Sequence, residues 1–404
     1  MPVVSIFEES NIHNRKIANY KTLIKVLIYE GGSTITELSN RLNLSVPTIA
    51  KLINDLVESG YVMEMGKRDN AQGRFPTIYD LTPASGYFLG VNPGHDSLSM
   101  ALCDFTGECV HSKMDIPFNL TNTPECLEVL INEIKDYINE LPIDKKKLLR
   151  IGMNISGRVN PFEGLSYSIF NFIEGPLASY FTKMLGYPTS IDNDTRAMAY
   201  GEYLKGSSKG MKDVIYVNMS WGIAIGIIIN GELYFGKSGY SGEFGHVHAF
   251  NNELMCHCGK KGCLETEVSG MALLRETLRS LEKGEQSILT EKYMKDKDGL
   301  TLSDVLYAIS KEDVLCIDAL QKIADELGKN LAGIINIFNP EMLVIGGDLS
   351  LTGDYITQPV SMAIKKYSLN VVNEDSVIVT STLKENAGVI GACMVARSRA
   401  VDLR

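Results

Sequence analysis

The chain has 404 residues, 45% of them hydrophobic and 22% charged, and a formal net charge of −10. These totals describe a globular chain of two or three domains and exclude a disordered or fibrous one. Residues 1–80 hold nine Lys/Arg and nine Asp/Glu, so the acid excess lies in the rest, and any contact with nucleic acid belongs to the neutral front end.

The N-terminus lacks the basic, apolar, small-residue order of a signal peptide. The densest apolar run, Ile223 to Ile229, is too short to span a bilayer and reads as a buried strand. A cytoplasmic location without membrane insertion is expected.

In chain order, "NYKTLIKVLIY" (19–29) places Leu23, Val26, Leu27 and Tyr29 on one helical face, and Gly31-Gly32 ends it. Thr34 with Glu37 three residues later has the capping-box spacing for a second helix through Leu38 and Leu42. Ser45 caps a third, with Pro47 in its first turn and Ile49, Leu52, Ile53 and Leu56 facing inward. "YVMEMG" and "FPTIYDL" then alternate like the strands of a hairpin joined by "KRDNAQGR". This order predicts a winged helix-turn-helix. A small helical protein-interaction module is the alternative. Ser45, Thr48 and Lys51 on the third helix, and Lys67, Arg68 and Arg74 around the wing tip, are the candidate DNA contacts.

From residue 83 strand-like and helix-like segments alternate: "GYFLGVN", "SLSMALCD", a helix around 123–141, "LRIGMNIS", "DVIYVNMS", "IAIGIIING", a helical stretch from Gly270 to about Asn339, and "MLVIGGDL". The class is α/β in two halves, and the strand-turn-strand units at 88–105 and 214–235 read as an internal duplication.

Five of the eight cysteines are scattered and read as buried hydrophobes. Cys256, Cys258 and Cys263 are clustered. With His246 they supply one nitrogen and three sulfurs, the donor set of a closed, structural Zn²⁺ site. A Cys256–Cys263 disulfide or a reactive thiol pair is the alternative. His248 and His257 fall outside that pattern and read as polar loop residues.

The segments "DNDTRAMAYGE" (192–202), "GEFGHVHAF…CHCGKKGCLE" (242–265), "NPEMLVIGGDLS" (339–350) and "AGVIGA" (387–392) resemble successive signatures of the ROK family of sugar kinases and sugar-responsive repressors. The resemblance implies a two-lobed actin-like (ribonuclease-H-like) ATPase and sugar kinase fold behind the winged helix-turn-helix. The expected domains are 1–82 for DNA binding and 83–404 for sugar binding. The lobes of the latter cover about 83–190 plus the C-terminal helix, and about 191–380. Carried over residue by residue, the resemblance implies that Asn193, Asp194, Glu243, His246 and Glu265 line a sugar. Asp194 stands where the kinases keep their general base, and Asn171 falls near the family's ligand loop.

The family's first phosphate turn is replaced by "NPGHD" (92–96), in which Pro93 removes an N–H and Asn92 stands at the metal-binding acid position. The second reads Ser220-Trp221-Gly222, where the indole is expected to crowd a polyphosphate. "VIGGD" (344–348) keeps the adenosine-side glycine pair. Two spoiled turns beside a complete sugar set predict a sensor in which Asp194 is vestigial as a base and ATP/Mg²⁺ is not a cofactor. The expected partners are a palindromic double-stranded operator, a sugar or sugar-phosphate effector and a second copy in a homodimer or homotetramer. An ATP-dependent hexose kinase with a DNA-binding head is the runner-up, and a scaffold governed by a protein partner the third reading.

Overall fold

A computed structural model describes residues 15–67 and 76–402. It divides into two compact units. The first holds the residues up to 157, 163–192 and those from 392 on; the second holds 158–162 and 193–391.

The first unit opens with α1 (Arg15–Glu30), the short β1 (Ser33–Thr34), α2 (Ile35–Leu42) and α3 (Val46–Glu58). Thr34 and Glu37 close a complete capping box on α2, and the Ser45 side chain accepts from the N–H of Thr48 at the start of α3. The α2–α3 turn passes through Asn43, held in the left-handed region at φ 51°. β2 (Val62–Lys67) and β3 (Thr77–Leu81) form the wing, and β1 adds a two-residue ladder to β3. Leu23, Ile24 and Leu27 of α1, Leu38 of α2, and Ile49, Leu52, Ile53 and Leu56 of α3 make its core. That core does not close on itself. It continues into Phe88, Phe105, Ala396, Ala400 and Val401, with the Phe105 ring 5.6 Å from Tyr61 and 5.9 Å from Phe88.

The lobe beneath consists of β4 (Tyr87–Pro93), β5 (Ser97–Asp104), β6 (Cys109–Pro117), α4 (Pro124–Glu140), β7 (Leu148–Ile155), then, after the two-residue β8 (Val159–Asn160) and β9 (Leu165–Ser166), α5 (Leu177–Leu185) and β10 (Thr189–Asn193). Its sheet runs β10-β7-β4-β5-β6. β4 is antiparallel to β5 and parallel to β7.

The second unit repeats that plan. After α6 (Asp194–Lys205) come β11 (Val214–Met219), β12 (Ile223–Ile229) and β13 (Glu232–Leu233), then the helices α7 (Glu265–Val268), α8 (Gly270–Glu282), α9 (Thr290–Lys295), α10 (Leu302–Ser310) and α11 (Val314–Phe338). β14 (Met342–Gly346), α12 (Asp354–Tyr367), α13 (Asn370–Asp375), β15 (Val377–Thr380) and α14 (Ala387–Val401) complete the chain. The order β13-β12-β11-β14-β15, with β11 antiparallel to β12 and parallel to β14, is that of the first sheet. The duplication expected from sequence is therefore present at the level of topology.

The continuous helical stretch expected from Gly270 to about Asn339 is instead four helices. Gly284 at φ +87° follows the end of α8, a capping box of Thr301 and Asp304 starts α10, and the Asp313 carboxylate caps α11, which gives a local reason for each of the three breaks. Among the described residues no helix is long and apolar enough to cross a membrane.

Candidate functional site

β10 of the first unit's sheet hands over to α6 of the second unit at Asn193, which is the N-cap: its Oδ1 accepts from Arg196 N at 3.1 Å and its Nδ2 donates to Asp194 Oδ1 at 3.0 Å. Asp194 Oδ1 also accepts from Thr195 N at 2.7 Å. Both polar groups thus stand at the positive end of a helix, where a carboxylate is stabilised.

Glu243 lies on a loop pressed flat on β12. Gly242 sits at φ +90°, and a side chain on it would come within 2.0 Å of Ile225 O; one on Gly245 would come within 2.3 Å of Ile223 O. Only glycine admits that approach. Phe244 between them is buried and anchors the loop, leaving Glu243 half-buried. Burial raises the Glu243 carboxyl above its usual value; His246, Arg158 and Arg196 oppose the rise and Asp194 adds to it. Glu243 and Asp194 therefore share one electrostatic field.

His246 connects the two halves of the site. Its Nε2 is 3.6 Å from Glu243 Oε2, and its Nδ1 is 3.4 Å from Glu265 Oε1 and 3.6 Å from Cys256 Sγ. Glu265, 4% exposed at the start of α7, also lies 2.8 Å from Cys256 Sγ.

His246, Cys256, Cys258 and Cys263 bring one donor atom each within 4.8 Å of one another. The Cys258–Cys263 sulfurs are 3.6 Å apart, as are Cys256 Sγ and His246 Nδ1. A tetrahedron with 2.3 Å metal–sulfur bonds has edges of about 3.8 Å, so these two separations are close to those of a tetrahedral site and the four groups could hold a metal ion. Burial raises the Cys256 thiol, helped by Glu265, and raises Cys263, helped by Cys258. Cys258 is drawn down despite desolvation by bonds from Cys256, Lys260 N–H and Cys263. Crowded sulfur and carboxylate is an environment that a cation relieves.

Two residues escape the sequence reading. His257, expected to be an ordinary loop residue, puts Nδ1 3.0 Å from Glu265 Oε1 and forms a second donor group with His246 and Glu265. Arg196, 2% exposed, donates to Gly239 O at 2.5 Å and Val159 O at 3.2 Å and lies over the Phe235 ring. It ties the loop before Glu243 to α6, and only its place after "DND" hints at that. Asn171 lies in the first unit, where its Oδ1 accepts from Asn122 Nδ2 at 2.8 Å.

The two turns singled out for phosphate are built into the scaffold. Asn92 Oδ1 accepts from Asn154 Nδ2 at 2.7 Å, and Pro93 ends β4. Trp221 packs partly buried against the second unit's core, and the carbonyls of Ser220 and Trp221 accept from Gly270 N and Met271 N at the start of α8. In "VIGGD" a side chain on Gly347 would meet Asn218 Oδ1 at 2.5 Å, so that glycine serves close packing.

On the winged helix, Ser45, Val46, Pro47, Thr48, Lys51 and Asn54 form the exposed face of α3, and Lys67 is exposed at the end of β2. Ser45 Oγ and Thr48 Oγ1 are 2.8 Å apart, so one hydroxyl donates to the other. Asp55, on the same helix, is held by Tyr20 Oη at 2.5 Å and Lys16 Nζ at 2.9 Å, which neutralises its charge. Arg68 and Arg74 lie outside the described residues.

A ROK family profile matches residues 88–399, and a winged helix-turn-helix DNA-binding profile matches 21–63. The chain belongs to the ROK family. A xylose repressor of Bacillus spizizenii is 27% identical over 96% of this chain and 97% of its own length. A glucokinase of Halalkalibacterium halodurans is 31% identical over 76% and 93%. The crystal structure of a ROK family transcriptional regulator, a homolog of the E. coli Mlc protein, superposes with a TM-score of 0.79 at 25% identity, covering 96% of this chain and 97% of that one. The fold is a winged helix-turn-helix joined to the ROK actin-like sugar kinase architecture.

Proposed function

We propose that the protein is a DNA-binding transcriptional repressor, acting in the cytoplasm, whose operator affinity is set by a sugar or sugar phosphate bound through Asn193, Asp194, Glu243, His246 and Glu265. One observation carries the reading: the chain pairs a winged helix that exposes Lys51 with a carboxylate cluster suited to adjacent hydroxyls. Full-length similarity to a xylose repressor supports it.

Lys51, Lys67, Arg68 and Arg74 neutralise phosphates in this scheme, and Ser45 and Thr48 lie against the groove. His246, Cys256, Cys258 and Cys263 hold zinc, which when bound supplies fixed positive charge and rigidity. Those four residues then fix the loop that carries Glu243 and Glu265. A homodimer or homotetramer places two winged heads on half-sites about 34 Å apart. The sugar changes operator affinity only by binding the two protein states unequally.

Operator DNA selected from random duplexes by the full chain, titrated with and without a panel of pentoses, hexoses, amino sugars and their phosphates, tests this. A several-fold change in operator affinity with one sugar is expected. Insensitivity to every sugar would overturn it.

A second reading, an ATP-dependent sugar kinase, is favoured by the 31% identity with a glucokinase and by Asp194 at the position of the base. Asn92 and Pro93 at the first phosphate turn speak against it. ADP release over the same panel, abolished by Asp194→Asn, would establish it.

A further inference from the structure

Among the described residues α3 presents one large exposed apolar side chain, Val46, 48% exposed at the first helical position after the Ser45 cap. The neighbouring Leu44, before the cap, packs against the winged-helix core, whereas Val46 is not among the side chains that do. The core face of α3 is filled by Ile49, Leu52, Ile53 and Leu56.

The hydrogen-bonding side chains nearest to it are partly engaged with one another. Ser45 Oγ accepts from Thr48 N at 3.3 Å and is 2.8 Å from Thr48 Oγ1. Pro47 follows with no N–H to give. Beside those two hydroxyls, the first turn of this helix thus offers the Val46 methyl groups where a recognition helix meets base edges. The major groove holds one common apolar group, the C5-methyl of thymine.

We infer that Val46 is a specificity-determining residue that reads a thymine methyl in each operator half-site. The inference rests on the DNA-binding reading proposed above. In it, Lys51, five residues further along α3, contributes affinity without sequence preference, and Val46 contributes preference with little affinity for other sequences.

The test uses duplexes selected from a random library by the full-length protein. Each thymine of the selected half-site is replaced in turn by deoxyuridine, which removes the methyl and leaves pairing intact. With the wild-type chain one thymine is expected to stand out, its replacement weakening binding about fourfold per half-site, the effect of losing one buried methyl-sized group. Val46→Ala should bind the thymine and deoxyuridine duplexes equally at that position while keeping the wild-type response at other thymines. Val46→Ile should keep the dependence. Because the side chain is exposed, both variants should melt as the wild type does, and a melting curve on each confirms this.

If Val46→Ala retains the methyl dependence, or if no thymine methyl in the half-site matters to the wild type, the inference falls while DNA binding stands. Failure to select any duplex removes both.

Discussion

Phe105 lies outside the helix-turn-helix and its wing, yet its ring sits between Tyr61 and Phe88 with no exposed surface. Phe105→Ala removes the ring from a core that α1, α2 and α3 share with β4 and with Ala396 and Ala400 of α14. Large-to-small changes of this kind cost about 3–5 kcal/mol, because the cavity left behind relaxes only in part. In a unit of about 200 residues each kcal/mol shifts the midpoint by about 2–4 °C, so a fall of about 6–20 °C is expected. Calorimetry gives the shift, and amide hydrogen exchange shows where it acts. Protection in α1–α3 should fall together with that in β4 and β5. Operator affinity should weaken although no DNA-facing residue has changed. If α1–α3 kept wild-type exchange while β4 and β5 loosened, the shared core would not couple them and the reasoning would fail.

Cys258→Ser should lose most of the bound zinc by elemental analysis, whereas Cys109→Ser, far from the cluster in sequence and exposed, should keep it. Asp194→Asn should abolish the sugar-induced rise in melting temperature, which in the wild type reflects about 2.7 kcal/mol at a ligand concentration 100 times the dissociation constant. Lys51→Ala should weaken operator binding and reduce the salt slope by about 0.9 for each phosphate that is no longer neutralised, with sugar binding unchanged. Asp313 is buried, and although desolvation pushes its carboxyl up, the N–H groups of Ile288 and Cys316 and the Ser287 hydroxyl hold it below its ordinary value. A depressed carboxyl contributes stability that is present above its unfolded value, about 3.9, and is lost as pH falls through the lower folded one. Acid unfolding of Asp313→Asn should therefore begin from a lower stability at neutral pH and depend less on pH below about 4.

Where a feature is local, the sequence discloses it. The capping box at Thr34 and Glu37, the Ser45 cap and the apolar run of β12 each state their structure within a few residues. β6 leaves no such trace because none of its side chains is fully buried; only its ladder to β5 makes it a strand. β15 likewise buries little and is defined by its pairing with β14. No local pattern shows that Phe88 and Phe105, read as strand residues of the body, also complete the winged-helix core.

The candidate site divides along the same line. The resemblance to the ROK family implies the residues at 193, 194, 243, 246 and 265, but the way one group faces two others is not legible in the sequence. His246 shows why. Its Nδ1 lies toward Cys256 and Glu265 and its Nε2 toward Glu243, so a metal taken on one edge of the ring fixes the orientation of the other. Glu265 and His257 sharpen the point, since the carboxylate has both His257 Nδ1 and Cys256 Sγ within 3.0 Å. In the proposed scheme a cation held by the thiolates would compete with those interactions and free Glu265 for a sugar hydroxyl. Ion and sugar are then coupled through one carboxylate, so removing the metal should lower sugar affinity even though no residue proposed to touch the sugar has been changed.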